Sequence, residues 1–390
     1  MPVIAARCRA VRVLITSGAL GQVGGMQAYV RDLAAWLLAH GHTPVVYGPR
    51  HGRTAAQLGR LTVPVTDDLA TLGAAPDIIH GNSAVETMTA LLHFPSAPAV
   101  FVCHGWRVDG PGVPHFPRVL QYVAVDDTVA DRVLYKEGVA PEKLSVLLNA
   151  VDTERFPPRA TPLPAKPKRA LVFGNAAHAA GHAAIIEDVC RRSGIEVDVV
   201  GEFAGTAVDA PEQILGRYDL VFAKAKCALE AMAAGAAVVL CEGTGIGGMV
   251  TTANVERLRR LNFGIRALQT PLTTETASDA VAAYDAADAA RVAALIRERA
   301  SADVLHEQLL ALYERVVDDF ARAPRPSHED ESRAAAKFLR DFVESTRPSE
   351  SNLNLVAQAT HRILRAPLVG RTLTRVARWV VERGKDGGDL

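Results

Sequence analysis

VRVLITSGALGQVGGMQAYVRDLAAWLLAHGHTPVVYG, residues 11–48, reads as a strand, a glycine-rich loop, a helix and a second strand. The run 11–17 is β-branched and apolar, and the loop from Ser17 to Met26 carries glycines at 18, 21, 24 and 25. From Met26 to Ala39 the apolar residues Val30, Leu33, Leu37 and Leu38 recur at helical spacing, and Gly41 suits a left-handed cap. PVVYG (44–48) returns to strand composition. This is one unit of an α/β fold, in which helices cover both faces of a parallel sheet.

The alternation continues outward. DIIHG (77–81), AVFVCH (99–104), YVAVD (122–126) and LSVLLN (144–149) are the next strands. Prolines 157, 158, 162, 164 and 167 then break all periodicity and mark a linker. Beyond it the pattern restarts with ALVFG (170–174), VDVVG (197–201), YDLVFA (218–223) and AAVVLC (236–241). The expectation is two Rossmann-like, doubly wound domains facing across a cleft, over residues 1–157 and 158–305. A helix at 306–323 would return to the first domain, and a helical extension would occupy 324–390. Its last part, 353–383, is arginine-studded: either a helix packed on the domains or a membrane-surface helix with Leu364, Leu368, Leu373, Val376, Trp379 and Val380 on one face. Pro367 and Gly370 interrupt that face.

Composition narrows the function. Forty-three Lys and Arg balance forty-three Asp and Glu, and no strip of basic and aromatic residues exists, so nucleic acid is not an expected partner. Five scattered cysteines without a C-x-x-C pair fit a reducing compartment rather than a disulfide scaffold. The first apolar run is too short for a signal-peptide core, and no stretch reaches the roughly 20 apolar residues of a membrane span. The expected location is cytoplasmic, with peripheral contact to the inner face of the membrane through 353–383 as an option.

Ligands of doubly wound sheets bind beyond the C-terminal strand ends, so the loops there carry the chemistry. Gly24 and Gly25 would let a ligand approach the backbone at a helix start. The spacing is not that of the dinucleotide fingerprint, and no Walker motif exists. In YDLVFAKAKCALEAMAAGAAVVL (218–240), Glu230 lies one turn into a helix behind a strand end. A carboxylate there can accept from two vicinal hydroxyls, as a ribose presents, while Lys224 and Lys226 could counter phosphate charge. The plain alternative, a solvated helix carboxylate, fits poorly with its small apolar neighbours. The loop Cys241 to Met249, with Gly247 and Gly248, could wrap a sugar or diphosphate with backbone amides, or be a flexible connection.

Together the stretches GGMQAYVRDLAAWLLAHGHTPVVYG (24–48), His104-Gly105, NAVDTERF (149–156) and ALEAMAAGAAVVL (228–240) resemble the family 4 glycosyltransferases of the GT-B fold, from about Val11 to Tyr313. The resemblance implies a hexosyltransferase-type enzyme that moves a sugar from a nucleotide diphosphate to a glycan or lipid-linked acceptor, with retention and without an essential metal. By the same likeness His104 would be the catalytic residue beside the transferred sugar. Glu230 would hold the ribose, and Gly24 and Gly25 would approach phosphates or acceptor. Gly174 and Asn175 would lie at the diphosphate.

Three departures qualify this. Phe222 stands where the family has a glutamate eight residues before Glu230, and Ala150 replaces the glycine of an asparagine-glycine-valine-aspartate turn. Asn175 and Ala180 stand where an arginine and a lysine usually grip the diphosphate. Each charge-assisted hydrogen bond is worth roughly 1.5–3 kcal/mol, so Lys224 and Lys226, or less strongly His178 or His182, must compensate. Otherwise the chain is a catalytically inactive nucleotide- or glycan-binding partner of an assembly complex. His178 and His182 have helical metal-ligand spacing but no third ligand, so no metal is expected. His40 and His42 are read as partners of a helix C-terminus and Asp126-Asp127 as a cap, while Asp109 falls in a loop open to an acceptor role.

Overall fold

The computed structural model describes residues 10–21, 24–107, 110–174, 177, 181–208, 210–243 and 245–347. The amphipathic stretch 353–383, Asp109, Asn175, His178 and Ala180 lie outside the described residues. The chain divides into two units, residues 1–338 and 339–390; of the second, 339–347 are described.

Seven strands build the first sheet: β1 (Arg12–Thr16), β2 (Thr43–Tyr47), β3 (Val65–Thr66), β4 (Ile78–Gly81), β5 (Ala99–Cys103), β6 (Val119–Ala124) and β7 (Leu144–Val146). Their order is β3-β2-β1-β4-β5-β6-β7, and every pairing is parallel. Helices α1 (Gly25–Ala39), α2 (Arg53–Arg60), α3 (Ala84–His93) and α4 (Asp127–Asp131) cross between them. β5 is buried along its whole length, which is why AVFVC is an unbroken apolar run rather than an alternating one. α1 buries Val30, Leu33, Ala34, Trp36 and Leu37, whereas Leu38 is 38% exposed, so the core face lies slightly off the expected stripe.

The second sheet holds β8 (Arg169–Phe173), β9 (Glu196–Val200), β10 (Leu220–Ala223), β11 (Ala237–Glu242), β12 (Gly245–Met249) and β13 (Thr270–Pro271). Its order is β13-β12-β11-β10-β8-β9. β8 to β11 pair in parallel, while β12 and β13 add an antiparallel edge. Its helices are α5 (His182–Arg192), α6 (Ala225–Ala233), α7 (Val255–Arg260), α8 (Thr274–Ala282) and α9 (Ala286–Arg299). The segment read as a loop with Gly247 and Gly248 is instead the β11–β12 hairpin. A Cβ at Gly247 would come within 2.4 Å of the Ala267 carbonyl oxygen, so its glycine answers to packing.

The chain then returns. Leu305, Leu309, Leu312, Tyr313 and Val316 of α10 (Ala302–Arg322) belong to the core of the first sheet. Ala334, Ala335 and Phe338 of α11 (His328–Thr346) pack against that same core. Arg118, 1% exposed, fastens α11: it donates to the Phe94, Ala97 and Leu91 carbonyls and, at 2.6 Å, to Glu331. Among the described residues no helix is long and apolar enough to cross a membrane.

Candidate functional site

The C-terminal ends of β8, β9, β10 and β11 and the loop after β1 open on one cavity of about 330 Å³. β8 is the strand at which the second sheet reverses its winding, the place where doubly wound folds leave a crevice. Gly24, Gly25, Arg31 and Arg53 line it from the first sheet's helices; Gly174, Gly201, Lys224, Lys226 and Glu230 line it from the second.

The wall is built by short connections. β10 ends at Ala223, and α6 starts two residues later with no intervening loop. The position eight residues before Glu230 therefore falls inside β10, where Phe222 is 1% exposed and belongs to the core. It does not face the cavity, and Lys224 is the residue that emerges there. Ala225, first residue of α6, has φ +49°, a left-handed conformation that costs a non-glycine residue of order 1–2 kcal/mol. Its N–H is held by the Phe263 carbonyl at 3.0 Å. At Gly201 a Cβ would meet the Gly174 carbonyl oxygen at 2.2 Å, so the β8 and β9 ends must approach closely. Gly25 is the opposite case: a Cβ there would touch nothing within 4 Å. Packing does not demand that glycine, which lines the cavity.

Glu230 is 7% exposed. Burial, opposed by Lys226 and reinforced by Asp32, raises its carboxyl from 4.5 to about 7. Lys226 Nζ stands 3.9 Å from Glu230 Oε1 and 3.3 Å from Asp32 Oδ2. Lys224 pairs with Glu242. Arg155 donates to Glu212 at 2.9 Å and lies 3.9 Å from Asp32. A buried carboxyl poised near neutrality, beside several cations in a cleft, can accept hydrogen bonds from hydroxyls and sit next to a polyanion.

His104, at the end of β5, is not among the residues lining this cavity. Asn82 Nδ2 donates to the Thr16 carbonyl at 3.1 Å, which turns Asn82 Oδ1 toward His104 Nε2 at 2.7 Å. His104 must therefore donate from Nε2, leaving Nδ1 as the acceptor nitrogen. Burial pushes the ring down to about 4, so it is neutral at physiological pH. Tyr29 of α1 meets it edge-on at 4.8 Å.

The structure thus brings Gly24, Gly25, Gly174, Lys224, Lys226 and Glu230 to one cavity, with Gly247 and Gly248 outside its lining. His182, set aside as a metal ligand in the sequence, is in the wall at the start of α5. The reading missed Arg31, Arg53 and Arg155. A signal existed for two: Arg31 lies off the apolar stripe of α1, and Arg155 sits inside NAVDTERF. Of the smaller expectations, Asp126 caps α4 by accepting from the Val129 N–H, and His40 bonds the Trp36 carbonyl. His42 serves the helix end through its backbone N–H, which donates to the Leu37 carbonyl at 2.9 Å, while its side-chain Nδ1 accepts from the Val11 N–H.

This two-sheet architecture with an interdomain cleft is the GT-B fold. A glycosyltransferase from Rickettsia africae matches it with a TM-score of 0.58 at 13% identity, over 80% of this chain and 99% of that one. Alr3699/HepE of Anabaena, solved in complex with UDP and glucose, gives 0.55 at 15% identity over 78% and 99%. Its complex with UDP gives 0.55 at 14% identity over 78% and 100%. In sequence, residues 23–155 match the model of Glycosyltransferase Family 4. Curated proteins yield no match.

Proposed function

We propose that the protein is a hexosyltransferase-type glycosyltransferase. It takes a sugar from a nucleotide diphosphate and passes it to a glycan or lipid-linked acceptor, with retention and without a required metal, on the cytoplasmic side. The observation that carries this is the cavity in which the buried carboxyl of Glu230 and the cations Arg31, Arg155, Lys224 and Lys226 meet beyond the strand ends. A nucleoside diphosphate offers the matching groups: a diol for the carboxylate and two phosphates for the cations.

The chemistry needs little beyond positioning. As the glycosidic bond to phosphate lengthens, positive charge grows on the sugar ring and negative charge on the diphosphate; the cations stabilise the leaving group. His104 Nδ1, a neutral acceptor, would take a hydroxyl hydrogen from the sugar, with Asn82 fixing the ring. No carboxylate is assigned as nucleophile, and no covalent intermediate is expected; capture of a glycosyl-enzyme adduct would refute that.

Calorimetric titration with UDP, GDP, TDP and ADP tests the donor site. One diphosphate should bind, and Glu230→Ala should weaken it about tenfold or more, about 1.4 kcal/mol. Turnover of the matching nucleotide sugars tests transfer. The second reading, a non-catalytic nucleotide- or glycan-binding partner, draws on the family match ending at residue 155, short of the domain that holds Glu230. Binding without turnover of any nucleotide sugar would favour it.

A further inference from the structure

We infer that Asp32 is a positioning residue for the diphosphate: it gathers Arg31, Arg155 and Lys226 into one group of cations that takes the phosphate oxygens. This rests on the donor-site reading above and adds which cations act and what holds them.

The geometry is that of a half-buried pivot, the Asp32 side chain being 16% exposed. Arg31 donates to Asp32 Oδ1 through Nε at 2.9 Å and Nη2 at 2.5 Å; Arg155 Nη1 lies 3.9 Å from the same oxygen; Lys226 Nζ is 3.3 Å from Oδ2. The three cations come from three places: α1, the connection between β7 and β8, and the first turn of α6. All three line the cavity, and Asp32 does not. The carboxylate stands behind the cations, and the cavity lies in front of them.

Three positive side chains this close repel one another and would swing apart without a shared anion. Asp32 removes that repulsion and leaves donors over. Among the described residues Nη1 of Arg31 takes no acceptor, and Lys226 has three N–H groups for Asp32 and a distant Glu230. Among the described residues the carboxylates within ion-pair distance of these three cations are Asp32, Glu212 and Glu230, the last kept partly protonated near neutral pH by burial; of the two others in the cavity lining, Glu202 and Glu242, Glu242 is paired with Lys224. The group therefore retains positive character toward the cavity. Cations fixed before the ligand arrives bind it without a further ordering cost. The arrangement also answers the missing charges at Asn175 and Ala180: the cations come from other elements, two of them outside the second sheet's strand ends.

The test uses inorganic pyrophosphate, which is independent of the base, together with the nucleoside diphosphate that binds wild type and its parent nucleoside. Asp32→Asn should weaken pyrophosphate and diphosphate at least tenfold and leave the nucleoside unchanged; Asp32→Glu should recover most of the loss. Lys226→Met and Arg155→Gln should each weaken pyrophosphate, and adding Asp32→Asn to either should cost far less than the sum. Unchanged or tighter pyrophosphate binding in Asp32→Asn overturns the inference, the tighter result meaning that Asp32 occupies the place of the phosphate. Equal losses for nucleoside and diphosphate also overturn it, because they report collapse of the cleft. Should Asp32→Asn fail to melt cooperatively, Lys226→Met and Arg155→Gln decide: unaltered pyrophosphate affinity in both sinks the idea. Wild type that binds neither probe removes this inference and the donor site together; diphosphate binding that depends on Glu230 but not on Asp32 removes this inference alone.

Discussion

Replacing Glu230 by glutamine should stabilise the unliganded protein, and only above the acid range. Burial raises the Glu230 carboxyl from 4.5 to about 7. The folded state therefore keeps the proton over a window where the unfolded chain has lost it, and stability falls as pH rises from 4.5 to about 7. The shift corresponds to roughly 3 kcal/mol at full ionisation. Glutamine fills the same volume and never ionises. The stability difference between Glu230→Gln and wild type should be near its minimum at pH 4.5, grow by roughly 3 kcal/mol by pH 8, and stay flat beyond. Urea unfolding followed by circular dichroism across that range measures it, and thermal melts should show several degrees. A difference that does not change with pH would refute the reasoning, because it would mean that the carboxyl ionises in the cleft at no cost. The same variant should lose affinity for the nucleoside diphosphate, so the residue would trade stability for binding.

Gly25→Leu should fold with unchanged melting, since nothing lies within 4 Å of the added Cβ, yet lose nucleoside diphosphate binding in calorimetry; unaltered affinity would remove Gly25 from the site. Asn82→Ala strips His104 Nε2 and the Thr16 carbonyl of their partners and should cost about 1–3 kcal/mol in urea unfolding while lowering transfer. Arg118→Ala removes the donor shared by Glu331 and the Leu91, Phe94 and Ala97 carbonyls, of which Phe94 keeps the Ala97 N–H, and should cost about 3–5 kcal/mol; Arg118→Lys should recover only part, because a lysine cannot reach four acceptors in one plane. A loss below about 1 kcal/mol would show that α11 is held otherwise.

The strand and helix order was legible because apolar periodicity is local: residues 11–48 carry a strand, a helix stripe and a stop within a few turns of chain, and five prolines separate the two alternations. Glu230 and its lysines were legible too, since strand end, helix start and carboxylate follow one another along the chain. What the sequence misplaced follows from the same locality. Phe222 lies inside the strand read at 218–223, but that its side chain turns into the core, away from the cavity, is a matter of which face β10 buries. The glycines of 243–248 look like those of a ligand loop, yet the close approach of the Ala267 carbonyl at Gly247 belongs to a residue distant in sequence, and only the packed hairpin reveals it. Tertiary structure alone decided that Asp32, Arg155 and Lys226 meet, because each is separated from the others by the better part of a domain, and charge carries no mark of its partner. Sequence alone set the central strands and helices of the two alternations, though not the β12 edge; folding set which charges share a cleft, since Coulomb attraction depends on distance in space and is blind to distance along the chain.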